Sequence, residues 1–176
     1  ADENELKEKL RHGLYQFGIQ GGETILDLGC GTGILTGVLA ETLDEDGRIY
    51  ALDFSPRMLE AARENIDDSR IEWVETDAHN LPFENEFFDI AICFSAWPRF
   101  EEPEKAAAEI LRVLKPGGRL HIWHLISRER VNEIHRDAGE AVSGDILASA
   151  KETGEMLTGI GFRITGTTDN KSAYLI

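Results

Sequence analysis

Asp27, Asp53 and Asp77 each close an apolar run, and Gly29, Gly31 and Gly33 follow the first of them. Glycines at alternate positions let a backbone bend sharply and approach a ligand with no Cβ in the way. A helix opening directly after such a loop aims its free N–H groups into the same crevice. Three glycines within five residues exceed what a bare strand-to-helix turn needs. Asp53 lies about 20 residues past Gly33, where a carboxylate can accept hydrogen bonds from both hydroxyls of a ribose. Asp77, in Glu75-Thr76-Asp77-Ala78, is placed to meet an exocyclic amine. Loop, ribose and base in that order imply an adenosyl ligand. The dinucleotide spacing G-x-G-x-x-G fails, because Ile34 stands at its last glycine.

Histidines are the other candidates for chemistry. His121 and His124 stand three apart on an apolar run, so on a strand they face opposite sides. His124 is nearer the carboxyl end, where ligands of open α/β sheets bind. With His135 on the next helical stretch, it is a candidate general base or a group that orients an acceptor. The bland alternative is a hydrogen-bonded strand-end His124 and an exposed His135. With Asp145 following, a His/His/Asp metal site is a further alternative, but the separations match no fixed ligand spacing and no metal ligand is assigned. Trp97 and Phe100 either wall an apolar pocket or pack the following helix. Cys30 and Cys93 form no CxxC pair and read as packing residues of a reducing cytoplasm.

The positioning elements alternate. Strands are expected at 24–29, 48–54, 71–76, 87–95 and 119–126. Helices are expected from Gly33 to Leu43, from Pro56 to about Ile66 behind an N-capping Ser55, and from Glu102 to Leu114. Pro116-Gly117-Gly118 reads as a turn before the fifth strand. Beyond it, 127–137 and 149–160 read as helices, and 162–168 and 172–176 as two closing strands around Asp169-Asn170. Such alternation indicates right-handed crossovers and a parallel sheet covered on both faces. Residues 1–176 form a single domain, in which 127–150 is the candidate lid or substrate-pocket segment.

Acidic residues outnumber basic ones 33 to 18, giving a formal charge of −15. A phosphate-backbone grip needs clustered Lys and Arg, so nucleic acid is disfavoured as a partner. No run approaches the length of a membrane helix, and the charged opening stretch holds no secretory apolar region. No exposed apolar stripe separates from the core pattern, so the oligomeric state stays open.

ILDLGCGTG at 25–33, ALDFSPRML at 51–59, TDAHNLPF at 76–83, FDIAIC at 88–93 and LKPGGRL at 114–120 occur in one order across about two-thirds of the chain. In these segments the sequence resembles class I S-adenosylmethionine-dependent methyltransferases, in the small-molecule branch related to ubiquinone and menaquinone methylases. The resemblance implies a Rossmann-like, doubly wound, three-layer sheet of seven strands in order 3-2-1-4-5-7-6, with the last strand antiparallel. It implies S-adenosylmethionine as cofactor, held by Asp27, Gly29, Cys30, Gly31 and Gly33, by Asp53, Phe54 and Met58, by Asp77 and Ala78, and by Phe94. Only about 23 residues precede the first strand, enough for one helix, so the substrate pocket is either open or built from 127–150. An Asn/Asp-Pro-Pro-aromatic element is missing after strand four, where Phe94-Ser95-Ala96-Trp97-Pro98 stands. The expected activity is methyl transfer to a small organic acceptor. A catalytically silent cofactor-binding subunit and an NAD-dependent oxidoreductase are the alternatives.

Overall fold

Five apolar runs form parallel strands of one sheet in the computed structural model, which describes residues 2–139 and 144–176. They are β1 (Thr24–Leu28), β2 (Arg48–Asp53), β3 (Ile71–Glu75), β4 (Phe88–Phe94) and β5 (Leu114–His124). Two short strands, β6 (Thr168–Asp169) and β7 (Tyr174–Leu175), complete the expected order 3-2-1-4-5-7-6. β7 runs antiparallel to both of its neighbours.

Helices cover both faces. α1 (Glu3–Gln16), α2 (Ile34–Thr42) and α3 (Pro56–Asn65) bury Leu10, Leu35, Leu39 and Leu59 against Ile25, Ile49, Ile90 and Trp123. α4 (Pro103–Val113), α5 (Arg128–Asp137) and α6 (Ala150–Ile160) bury Ile110, Val131 and Leu157 against Leu26, Leu52, Cys93 and Ile122. Neighbouring residues of one strand thus feed different cores, so the strands read as continuous apolar runs rather than alternating ones. Ser55, Ser127 and Ser149 cap three helices, the last with Glu152 in a reciprocal box. α2 carries no basic residue in its last turn. Arg70, just before β3, supplies one instead, donating to the Ala40 and Leu43 carbonyls at 2.6 Å each.

The structure departs from expectation in two places. β5 starts at Leu114, not Arg119, and ends at His124, not Ile126. Phe88 pairs with Leu114 while Ile90 pairs with Arg119, so Pro116-Gly117-Gly118 is an irregularity inside the strand rather than a turn before it. Gly117 has φ 78°, and a Cβ on Gly118 would lie 2.8 Å from the Lys115 carbonyl oxygen. The closing strands are also shorter than 162–168 and 172–176. Phe162 and Ile164 still pack on the core, as a strand would, but the β6–β7 ladder starts only at Thr168. β7 is fastened at its end, where Ile122 and Ile176 exchange both backbone hydrogen bonds at 3.0 Å. Residues 140–143 of the expected lid segment lie outside the described residues. No described helix is long and apolar enough to cross a membrane.

Candidate active site

The carboxyl ends of the parallel strands open on one edge of the sheet. After β1 the chain turns sharply, and the Gly29 and Cys30 N–H groups both donate to the Leu52 carbonyl, at 2.8 and 2.9 Å. Gly29, Gly31 and Gly33 have φ of 72°, 55° and 87°, the left-handed region that favours glycine. Their surroundings differ. A Cβ on Gly29 would sit 2.4 Å from the Cβ of Ala96, and one on Gly33 would sit 2.8 Å from Cδ1 of Ile66. A Cβ on Gly31 would meet nothing within 4 Å. Gly29 and Gly33 therefore serve the close packing of the loop on its neighbours, and Gly31 faces the open crevice.

Asp53, 7% exposed, ends β2 beside this loop. Its Oδ2 accepts the Gly31 N–H and its Oδ1 accepts the Ser55 N–H, both at 2.9 Å. A carboxylate has about four lone-pair sites, so half of its accepting capacity remains. Asp27 is only 1% exposed and accepts from the Thr36 hydroxyl at 2.6 Å, forming the footing under the loop. Burial raises its pKa to about 7, partly offset by the Thr36 hydrogen bond and reinforced by the charge of Asp53.

Phe54 and Met58, just past β2, are 64% and 41% exposed, an apolar pair in water beside a carboxylate. The Arg99 guanidinium lies 5.8 Å from the Phe54 ring centroid, in cation–π range. Just past the next strand, Asp77 is exposed while Ala78 is buried at 3%. Ala78 can therefore offer a ligand backbone groups only. Asp77 Oδ1 accepts from the His79 N–H at 2.9 Å and from the His79 ring. The backbone bond, then the ring, hold Asp77 below the usual carboxylate range against the opposing effect of burial. The loop is anchored to α4 farther along. Arg112 donates to the Leu81 and Phe83 carbonyls at 2.9 and 2.8 Å, and Glu109 accepts from the Leu81 N–H at 2.8 Å.

Phe94, at the end of β4, lies 5.2 Å from the Trp123 ring. Ser95 follows with φ 56°, an uncommon conformation for a non-glycine residue, and it is exposed. Cys30 and Cys93 are buried, and burial pushes both thiols up, away from nucleophilic reactivity.

His121 and His124 do face opposite sides of the sheet. His121 stacks on Phe17 at 3.9 Å, and His124 meets Tyr174 edge-on at 5.8 Å. His124 is 2% exposed, with no hydrogen-bond partner on Nε2. Burial, with the neighbouring His135 as the smaller cause, lowers its pKa to about 4, so the ring is neutral at pH 7. His135 Nδ1 lies 2.7 Å from the Asp145 carbonyl oxygen. No group of three or more His, Cys, Asp or Glu gathers among the described residues to hold a metal. Trp97 is 5% exposed and packs into the α4–α6 core, with its ring 5.4 Å from that of Phe100. A groove of about 1080 Å³ runs along Lys115–His121 and 162–168, at the amino ends of the strands and away from Gly31, Asp53 and Asp77.

Sequence reasoning missed His79, Ser95 and Arg99. The Asp-x-His spacing at 77–79 was a local signal for the first. Arg99 reaches Phe54 only through the tertiary fold.

Residues 26–122, more than half the chain, match the family model described as a methyltransferase domain. The chain belongs to that family. Its cofactor is S-adenosylmethionine. The demethylmenaquinone methyltransferase of Clavibacter sepedonicus is 43% identical over 102 residues, covering 57% of this chain and 40% of that protein. The ubiquinone/menaquinone biosynthesis C-methyltransferase UbiE of Vibrio vulnificus is 36% identical over 107 residues, covering 58% and 41%. The match thus spans about two-fifths of the length of these curated relatives. A SAM-dependent methyltransferase from Aquifex aeolicus shares the fold, with TM-score 0.79 at 23% identity over 99% of this chain and 96% of that one. The crevice fits the cofactor. Gly31 leaves open space where a Cβ would stand, Asp53 keeps accepting capacity, and Phe54 and Met58 expose apolar surface beside it.

Gly29→Ala is expected to cost about 2–4 kcal/mol, because left-handed strain adds to the overlap with Ala96. Gly31→Ala should cost only about 1–2 kcal/mol of strain. It should nevertheless weaken S-adenosylhomocysteine binding. Urea unfolding with and without that ligand separates the two, and equal losses of stability would refute the distinction. Asp27 makes a pH prediction. Its pKa rises from 3.8 in the unfolded chain to about 7 in the fold, so between those values the folded state binds more protons. This group's contribution to stability is therefore highest at low pH and falls as pH rises from about 4 to about 7. Asp27→Asn cannot ionise, so its stability relative to the parent should improve across that window. A pH-independent difference in urea midpoint would count against the raised pKa.

Proposed function

We propose that this chain transfers a methyl group to a small organic acceptor, and that the acceptor is an electron-rich ring carbon of a reduced quinone. The observation that carries the reading is Asp53. Its carboxylate is fixed by two N–H groups between the open face of Gly31 and the exposed pair Phe54 and Met58, with Asp77 two residues past the end of the adjacent strand. In this reading Gly29, Cys30, Gly31 and Gly33 line the methionine end and Asp27 supports them from below. Asp53 takes the ribose hydroxyls, and Phe54, Met58, Asp77 and Ala78 hold the base. Phe94 borders the transfer site. The curated quinone methylases support the acceptor class.

S-adenosylmethionine supplies a methyl group already activated on a cationic sulfur. The chain's work is then mostly orientation and exclusion of water. A base is needed only where the nucleophile carries a proton. His124, neutral and at the carboxyl end of β5, is proposed to orient the acceptor or receive that proton, with His135 on α5 beside it. Residues 127–150 are proposed to cover the acceptor side of a single domain spanning 1–176. The charge of −15 and scattered basic residues support a small molecule over nucleic acid. The two buried, unpaired thiols suit the cytoplasm.

Calorimetric titration with S-adenosylhomocysteine should give micromolar binding, with no heat from NAD. Asp53→Ala should weaken it about 100-fold, since two charge-assisted hydrogen bonds are lost. Tight NAD binding would overturn the cofactor reading. With S-adenosylmethionine and a reduced short-chain demethylmenaquinone, methylated product should form. Persistent cofactor binding without product from this acceptor would reject the quinone assignment. His124→Ala should lower turnover about 100-fold while leaving S-adenosylhomocysteine affinity unchanged. Full turnover in that variant would remove His124 from the reaction.

A further inference from the structure

We propose that His79 is a positioning residue that fixes the Asp77 carboxylate against the exocyclic amine of the base, and so sets discrimination between adenosyl and inosyl ligands. The inference rests on the reading of Asp77 as the base-reading carboxylate. The Asp77 side chain is 64% exposed, and an untethered carboxylate there would have to lose rotamer freedom on binding. His79 removes that freedom beforehand. Its backbone N–H donates to Asp77 Oδ1 at 2.9 Å, and its ring Nδ1 meets the same oxygen. Both donors fall on one oxygen, leaving Oδ2 to the ligand.

The imidazole tautomer follows from its other contact. The Glu102 N–H donates to His79 Nε2 at 3.1 Å, so Nε2 is bare and the ring proton sits on Nδ1, directed at Asp77. Glu102 immediately precedes α4, the same helix that holds Leu81 and Phe83 through Arg112 and Glu109. The Phe100 ring stands edge-on to the imidazole at 6.2 Å, and the His79 side chain is 13% exposed. Asp77 is therefore held by its own loop through the His79 N–H and, through the His79 ring, by the start of α4.

This tie bears on selectivity more than on affinity. A carboxylate accepts hydrogen bonds only, so an amine on the base satisfies it and a carbonyl at the same place repels it. A free carboxylate would turn into solvent and tolerate the carbonyl. A clamped one cannot, and the mismatched base meets an unpaired like-polarity contact.

The test is calorimetric affinity for S-adenosylhomocysteine and for S-inosylhomocysteine, compared as a ratio. His79→Ala should reduce the ratio about tenfold, chiefly by admitting the inosyl ligand. His79→Asn keeps a side-chain donor near Asp77 and should retain most of the ratio. His79→Gln keeps a group facing Glu102 but not both contacts at once. It should lose discrimination with its urea midpoint unchanged, which keeps the test valid even where His79→Ala unfolds. Asp77→Asn is the reference arm and should abolish the discrimination. Collapse of the ratio in Asp77→Asn but not in His79→Ala or His79→Gln would overturn the role of His79 alone. An unchanged ratio in Asp77→Asn would overturn the base-reading assignment and this inference with it.

Discussion

The Asp53 carboxylate joins two separate stretches of chain, taking one backbone N–H from the loop after β1 and another from the start of α3. Hydrogen bonds from backbone N–H to an ionised carboxylate are among the stronger ones available to a protein, and partial burial strengthens them further. The crevice depends on this joint. β1 and β2 lie side by side in register from Thr24 with Arg48 to Leu28 with Leu52, which brings the two stretches together. The Leu52 carbonyl takes two more N–H groups of the same loop, so the end of β2 organises most of the turn. Ser55 then caps α3 through its hydroxyl. A ligand arriving here meets groups already oriented by the protein.

Much of this was legible because it is local. The continuous apolar runs announced strands buried on both faces, Ser55-Pro56 announced a helix start, and the glycine spacing announced the loop. The carboxylates at strand ends were readable as a set because parallel strands must bring their ends to one edge. What escaped reading depends on long-range partners. The Pro-Gly-Gly stretch looked like a break, yet pairing of Leu114 with Phe88 draws it into β5. The last two strands are shorter than their apolar runs imply, because their length is set by which neighbour residues are available to pair. The position of His124 at the carboxyl end of its strand is legible, but its burial against Tyr174 has no signature in the run Leu120–Leu125. The contacts of His79 with Glu102 and of Arg99 with Phe54 likewise join segments separated by many residues.

Acidity and site chemistry are two scales of one arrangement. Many of the surface carboxylates serve short-range pairs along helices, such as Glu3 with Lys7 and Glu5 with Lys9, which contribute little stability each. Asp27, Asp53 and Asp77 instead sit at the ends of adjacent strands in three different environments. One is buried on a hydroxyl, one is half-committed to backbone N–H groups, and one is exposed but tethered by a histidine. The same residue type is thus given three different degrees of exposure and fixation by what surrounds it.

The three loop glycines also bear on how such a site would decay over descent. Positions 29 and 33 are policed by the protein's own packing, through Ala96 and Ile66, whatever the crevice contains. Position 31 is policed only by its backbone angle and by the molecule that the loop receives. A lineage that abandoned the ligand would keep glycine at 29 and 33 for the sake of folding. Residue 31 would drift first, toward asparagine or aspartate, which visit the left-handed region at little cost. Loss of function would be written at one position in a loop otherwise indistinguishable from an active one.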